Sequence, residues 1–203
     1  MDSRAIRGKF GGDFEADERT FRMGIDRRFT RLMAERFPFP KVLETCTGGG
    51  FSTLALAAVA DHVVSVEIDL RHQKQARTNL ERAGLLHKVT LVLGDALDDS
   101  ILADHLPLDA AFLDPDWAVT GPNHVYQFRD SNTAPPADLL LQKTFSLTEN
   151  VGLVLPPFVD AREFDGLPPH ERQEMYLEGR QELTCLYFGE LARDIGVTEC
   201  RVG

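Results

Sequence analysis

Between residues 41 and 156, short β-branched runs alternate with stretches of helical periodicity, and this order limits the possible folds more than any other feature. "KVLETC" (41–46), "HVVSVEID" (62–69), "KVTLVLGD" (88–95), "LDAAFLD" (108–114) and "NVGLVLP" (150–156) read as strands. Between them, "FSTLALAAVA" (51–60), "RHQKQARTNLERAGL" (71–85), "DDSILADHL" (98–106) and "PADLLLQKTFSL" (136–147) read as helices. Strands separated by helices of this length are parallel βαβ units, because a parallel pair needs a crossover that a tight turn cannot supply. The tail, "QEMYLEGRQELTCLYFGEL" (173–191), changes the pattern to two strands about a turn at Glu178-Gly179, an antiparallel hairpin. The expected fold is α/β, a doubly wound Rossmann-like sheet of seven strands, five parallel plus the C-terminal hairpin. Residues 1–40 precede the first strand as a helical extension, with "DRRFTRLMAERF" (26–37) at helical spacing, and residues 41–203 form the main domain.

The remaining composition narrows the function classes. No apolar run reaches the roughly 18–20 residues of a membrane helix, and the polar N-terminus does not resemble a secretory signal, so a cytoplasmic protein without membrane partners is expected. Three cysteines do not make a disulfide framework, and no Cys/His spacing suggests zinc, so no metal is expected. The net charge is −10, which opposes broad electrostatic binding of nucleic acid. The charge is unevenly distributed, with nine Lys/Arg against seven Asp/Glu in residues 1–40. Either a local phosphate contact through Arg4, Arg7 and Lys9 or a plain solvated face fits that arm.

In an open α/β sheet, ligands bind beyond the carboxyl ends of the strands, so residues there carry the functional reading. The first strand ends in "ETCTGGGFST", where Gly48 and Gly50 let the backbone approach a ligand. A dinucleotide fingerprint needs a third glycine where Thr53 stands, and no P-loop lysine follows. Glu44, and Thr45 beside it, suit a ligand bearing an amine rather than a pyrophosphate. Glu67, followed by Ile68, ends the second strand 19 residues after Gly48, where a carboxylate accepts hydrogen bonds from a ribose diol. Asp95, followed by Ala96, closes the third strand, where an adenine amine needs an acceptor. Each acid alone also reads as a cap or loop residue. Together they describe a site for an adenosine ligand without phosphates, and S-adenosylmethionine fits it.

The fourth strand runs into Asp114-Pro115-Asp116-Trp117, two acids beside the sole tryptophan. This order resembles the class I S-adenosylmethionine-dependent methyltransferases over about residues 41–191. Within them, enzymes that methylate base amines carry (N/D/S)-P-P-(Y/F/W) after the fourth strand, and Asp114–Trp117 is similar to it. "ENVGLVLPPFVD" and "LTCLYFGEL" resemble segments of the trimethylguanosine synthases, RNA guanine-N2 methyltransferases whose motif reads S-P-P-W-G-G. Here Asp114 replaces the serine, Asp116 the second proline, and Ala118-Val119 the glycine pair. The resemblance implies methyl transfer to an exocyclic base amine, guanine N2-like, in RNA. Asp114 and the Pro115 carbonyl would orient the amine, and Trp117 would stack on the base. Asp116 reads either as a second acceptor or as a turn residue. His124, Tyr126 and Arg129, in the loop before the last helix, are candidate substrate contacts. Alternatives are a small-molecule methyltransferase, a non-catalytic cofactor or nucleotide module, and a nucleotide-dependent oxidoreductase.

Overall fold

The computed structural model describes residues 1–117, 125–157 and 159–203, which cluster into two compact units, Met1–Asp109 and Ala110–Gly203. In the first unit three strands run parallel in the order β3-β2-β1: β1 (Lys41–Thr45), β2 (His62–Glu67) and β3 (Val89–Leu93). Val42, Leu43, Val63, Val64 and Val66 are all buried. Such continuous apolar strands are what a sheet covered on both faces requires. The N-terminal extension comprises three short helices, α1 (Ser3–Phe10), α2 (Glu18–Met23) and α3 (Arg27–Ala34). Asp2, Asp17 and Asp26 accept from backbone N–H groups at their starts, the ordinary N-cap role of a short acid. α4 (Phe51–Val59) and α5 (Leu70–Arg82) are the two crossovers. Phe29, Met33 and Phe37 bury one face of α3 and its exit.

The second unit orders its strands β4-β5-β7-β6-β8. β4 (Ala110–Leu113) is parallel to β5 (Val151–Leu155), with α6 (Ala137–Phe145) between them in sequence. β6 (His170–Leu177) and β7 (Arg180–Phe188) form the antiparallel hairpin, and β7 continues the sheet antiparallel to β5. Glu178 and Gly179 both take positive φ in its turn, as expected for a two-residue connection.

The Rossmann-like α/β order is the one read from the sequence, with two differences. An additional strand, β8 (Gly196–Val202), runs parallel to β6 at the edge. It carries the Glu199–Arg201 ion pair, and charge on an edge strand hides it from a search for apolar runs while blunting edge-to-edge pairing. The segment expected as a helix at 98–106 is a 3-10 turn, Asp99–His105, started by Asp98 accepting from the Ser100 N–H.

Candidate functional site

The residues expected at a cofactor lie in the first unit, where β1 turns into α4. Cys46, Gly48 and Gly50 all have positive φ, at 63°, 54° and 80°, so the chain folds back tightly after Thr45. Gly50 occupies the N-cap of α4 and has no side chain to cap it. The first N–H groups of that helix therefore lack a side-chain capping partner and, with the positive end of the helix dipole, favour a carboxylate. A Cβ on Gly48 would meet only the Cys46 carbonyl, 3.9 Å away, which leaves the backbone approachable at Gly48.

Glu67 ties this loop to the end of β2. One carboxylate oxygen accepts from the Gly48 N–H at 2.7 Å and the other from the Asp69 N–H at 2.8 Å. His72 Nδ1 lies 4.0 Å from the same carboxylate. Each oxygen retains acceptor capacity for a diol, since an ionised carboxylate offers about four lone-pair sites. Ile68, directly after it, is 70% exposed. Asp95 is exposed and turns one oxygen to the Leu97 N–H at 2.9 Å, and Ala96 is buried beside it. This bond is the turn-forming role that the sequence also allowed for Asp95.

Glu44 and Thr53, both expected at a ligand, are wholly buried. One Glu44 oxygen, Oε2, accepts from Thr53 and Ser65 hydroxyls, each at 2.5 Å, and Ser65 also bonds Thr47 at 2.6 Å. The other oxygen, Oε1, has no hydrogen-bond partner, and neither does the Thr45 hydroxyl. Burial raises the Glu44 pKa against the lowering effect of the Ser52, Ser65 and Thr53 hydroxyls, and the nearby Glu67 charge raises it further. The sequence marks Glu44 as a strand-end acid but not as an interior one. Its orientation depends on the hydroxyls of 47, 53 and 65, which are scattered along the chain.

The residues expected at a methyl acceptor lie in the second unit, at the end of β4. Pro115 is buried and Asp114, Asp116 and Trp117 are half-buried. Asp116 forms an isolated antiparallel bridge with Ala134, its N–H donating at 3.0 Å and its carbonyl accepting at 2.9 Å. The run is thereby held in place by backbone bonds.

The three loop candidates separate. His124 lies outside the described residues. Tyr126 turns its hydroxyl inward, where it is buried without a partner, and burial pushes the phenol pKa up. Arg129 donates from its guanidinium to the Asp165 carbonyl, while its N–H and that of Phe128 donate to Glu163. Arg129 therefore braces the loop against residues 163–165, while the Tyr126 hydroxyl is turned inside. Sequence reasoning missed Asn79, a fully buried amide that bonds the Gly49 carbonyl at 2.8 Å. Its only sequence signal is a polar residue on the apolar face of α5.

A family model described as RNA cap guanine-N2 methyltransferase matches residues 40–191. A catechol O-methyltransferase of Mycobacterium tuberculosis is 40% identical over 92 residues, covering 44% of this chain and 42% of that protein. A mitochondrial ribosomal RNA small subunit methyltransferase of Arabidopsis thaliana is 32% identical over 109 residues, 54% of this chain and 28% of that one. The matched stretches thus span less than half the length of these curated relatives. The crystal structure of a putative methyltransferase from Porphyromonas gingivalis W83 superposes with a TM-score of 0.77 at 16% identity, covering 92% of this chain and 47% of that one, a likeness of fold.

Proposed function

This chain belongs to the RNA cap guanine-N2 methyltransferase family, and we propose that it transfers a methyl group to the exocyclic amine of a base, guanine N2-like, in RNA. S-adenosylmethionine is the cofactor of that class, and the residues present fit it. The approachable Gly48 backbone and the side-chain-free start of α4 suit its amino-acid end. Glu67 with Ile68 suits the ribose and one face of the adenine, and Asp95 with Ala96 suits the adenine edge. Glu44, Thr45 and Thr53 brace the turn from behind. The bound cofactor supplies an electrophilic methyl on a positively charged sulfur.

The observation that carries the acceptor reading is the Asp114–Trp117 run, fixed at the end of β4 by the Asp116–Ala134 bridge. A base amine is a poor nucleophile because its lone pair is delocalised into the ring. The Asp114 carboxylate and the Pro115 carbonyl accept its two hydrogens, turn the nitrogen toward the methyl and stabilise the charge that grows on it. Methyl transfer would leave the cofactor as a neutral thioether and the nitrogen as a cation still carrying both its hydrogens, and the Asp116 carboxylate would receive the proton that it then loses. Trp117 provides the stacking face for the base, on the order of 1–3 kcal/mol.

A second reading, a small-molecule acceptor, draws on the net charge of −10 and on the catechol O-methyltransferase likeness. The two readings separate by incubating the protein and labelled cofactor with a pool of unmodified RNA transcripts or with catechol. The RNA reading expects label in RNA, lost with Asp114→Ala. Label in catechol alone, or RNA labelling that Asp114→Ala leaves intact, would refute it.

A further inference from the structure

Residues 10–15 of the N-terminal extension are fastened to α5 and the glycine turn by side chains outside the acceptor chemistry. Asn79, completely buried on α5, makes three hydrogen bonds. Its oxygen accepts from the Glu15 N–H at 2.7 Å, and its amide nitrogen donates to the Glu15 carbonyl at 2.9 Å and to the Gly49 carbonyl at 2.8 Å. One side chain thus holds the arm's backbone and the centre of the glycine turn together. Arg82, three residues along the helix, donates to the Asp13 carbonyl at 3.0 Å and pairs with Glu15 at 2.6 Å. The arm is joined to the turn a second time through aromatic packing. The Phe10 ring stacks on Phe51, centroids 3.4 Å apart and planes within 1°. Phe51 is the first residue of α4, directly after Gly50.

We propose that Asn79 is a positioning residue that couples docking of residues 10–15 to the conformation of the glycine turn, so that cofactor binding and arm docking strengthen each other. The proposal rests on reading Gly48–Gly50 as the cofactor turn. A run of three glycines has wide conformational freedom, and a ligand that needs one shape must bear the entropy of selecting it. A buried amide bonded to the Gly49 carbonyl removes part of that freedom in advance, and the arm holds the amide's other end. Coupling between two binding events is reciprocal, so the cofactor must tighten the arm by the factor with which the arm tightens the cofactor.

The test uses the full chain and S-adenosylhomocysteine, the demethylated product, with calorimetric affinity and hydrogen exchange of the amides of residues 13–17 as readouts. Asn79→Ala should weaken binding by about tenfold and Arg82→Ala, which touches only the arm, by about threefold, within the usual range of coupling factors. Arg82→Lys should recover part of that loss. In the unaltered protein the ligand should slow exchange at residues 13–17, and Asn79→Ala should abolish that slowing, an effect that mere stabilisation of the fold does not produce. If Asn79→Ala does not fold, Arg82→Ala alone carries the test. Wild-type affinity in folded Arg82→Ala, together with arm exchange indifferent to the ligand, would overturn the proposal, even if Asn79→Ala binds poorly. Should the unaltered protein fail to bind the product at all, the cofactor reading falls and the coupling with it.

Discussion

Glu67 serves two masters: its oxygens hold the Gly48 and Asp69 N–H groups, and its remaining lone pairs face the ribose in the proposed complex. Glu67→Ala should weaken S-adenosylmethionine binding by about 1.5–3 kcal/mol, the scale of hydrogen bonds to a charged group. Calorimetric titration of the folded variant checks this, and unchanged affinity would remove Glu67 from the ribose role. Glu44 makes the opposite kind of prediction, about stability. Its folded pKa is raised by burial, so its favourable contribution is complete below the unfolded value of about 4.3 and is lost as pH rises toward the folded one. Glu44→Gln, which carries no charge, should therefore gain on the wild type as pH rises above about 4.3, by up to about 1.4 kcal/mol per pH unit. Urea midpoints from pH 4 to 8 measure it, and a pH-independent difference would contradict the buried-acid account. Both acids were legible in the sequence as strand ends. Only the fold separates them, because inward or outward direction at a strand end depends on which distant hydroxyls arrive beside it.

The glycine turn shows how an element is fixed by its neighbour. A Cβ on Gly50 would stand 2.9 Å from the Ala76 Cβ and 3.0 Å from its Cα, at a φ of +80°. Gly84, after α5, has a φ of +70° but nothing within 4 Å of an added Cβ. Gly84→Ala should cost only the left-handed backbone penalty, about 1–2 kcal/mol. Gly50→Ala should cost at least about 1 kcal/mol more, since α5 backbone must move. Equal urea midpoints for the two variants would count against the close turn–α5 contact. The parallel strands, their crossovers and the hairpin were legible because burial on both faces leaves long apolar runs. β8 escaped notice because four of its seven residues are exposed and two carry charge. The 3-10 turn at 99–105 was read as a helix because short apolar spacing does not distinguish the two. That the Tyr126 hydroxyl is buried and that Arg129 is tied to Glu163 and Asp165 was not legible, because polar residues in a long loop look outward until the loop's own bonds are visible.

At the scale of the whole molecule, charge would set how the proposed RNA acceptor is held. Of the basic side chains first considered for phosphate contact, Arg7 pairs with Asp13 and Lys9 donates to the Phe21 carbonyl at 2.6 Å, so the arm's cations are partly committed within it. With a net charge of −10, affinity should come from base stacking and amine recognition rather than from many phosphates. The slope of log affinity against log salt for single-stranded RNA should be shallow, about −2 or less steep, as for three or fewer neutralised phosphates. A steep slope would demand a basic surface that the described residues do not supply. The central claim is where the methyl arrives, and mass spectrometry of nucleosides from RNA treated with the protein and trideuteromethyl-labelled cofactor reads it directly. The account predicts the label on the exocyclic amine of a base, with guanosine N2 expected first, and its loss in Asp114→Ala. Label on a ribose oxygen or a ring carbon, or undiminished amine methylation by Asp114→Ala, would contradict it.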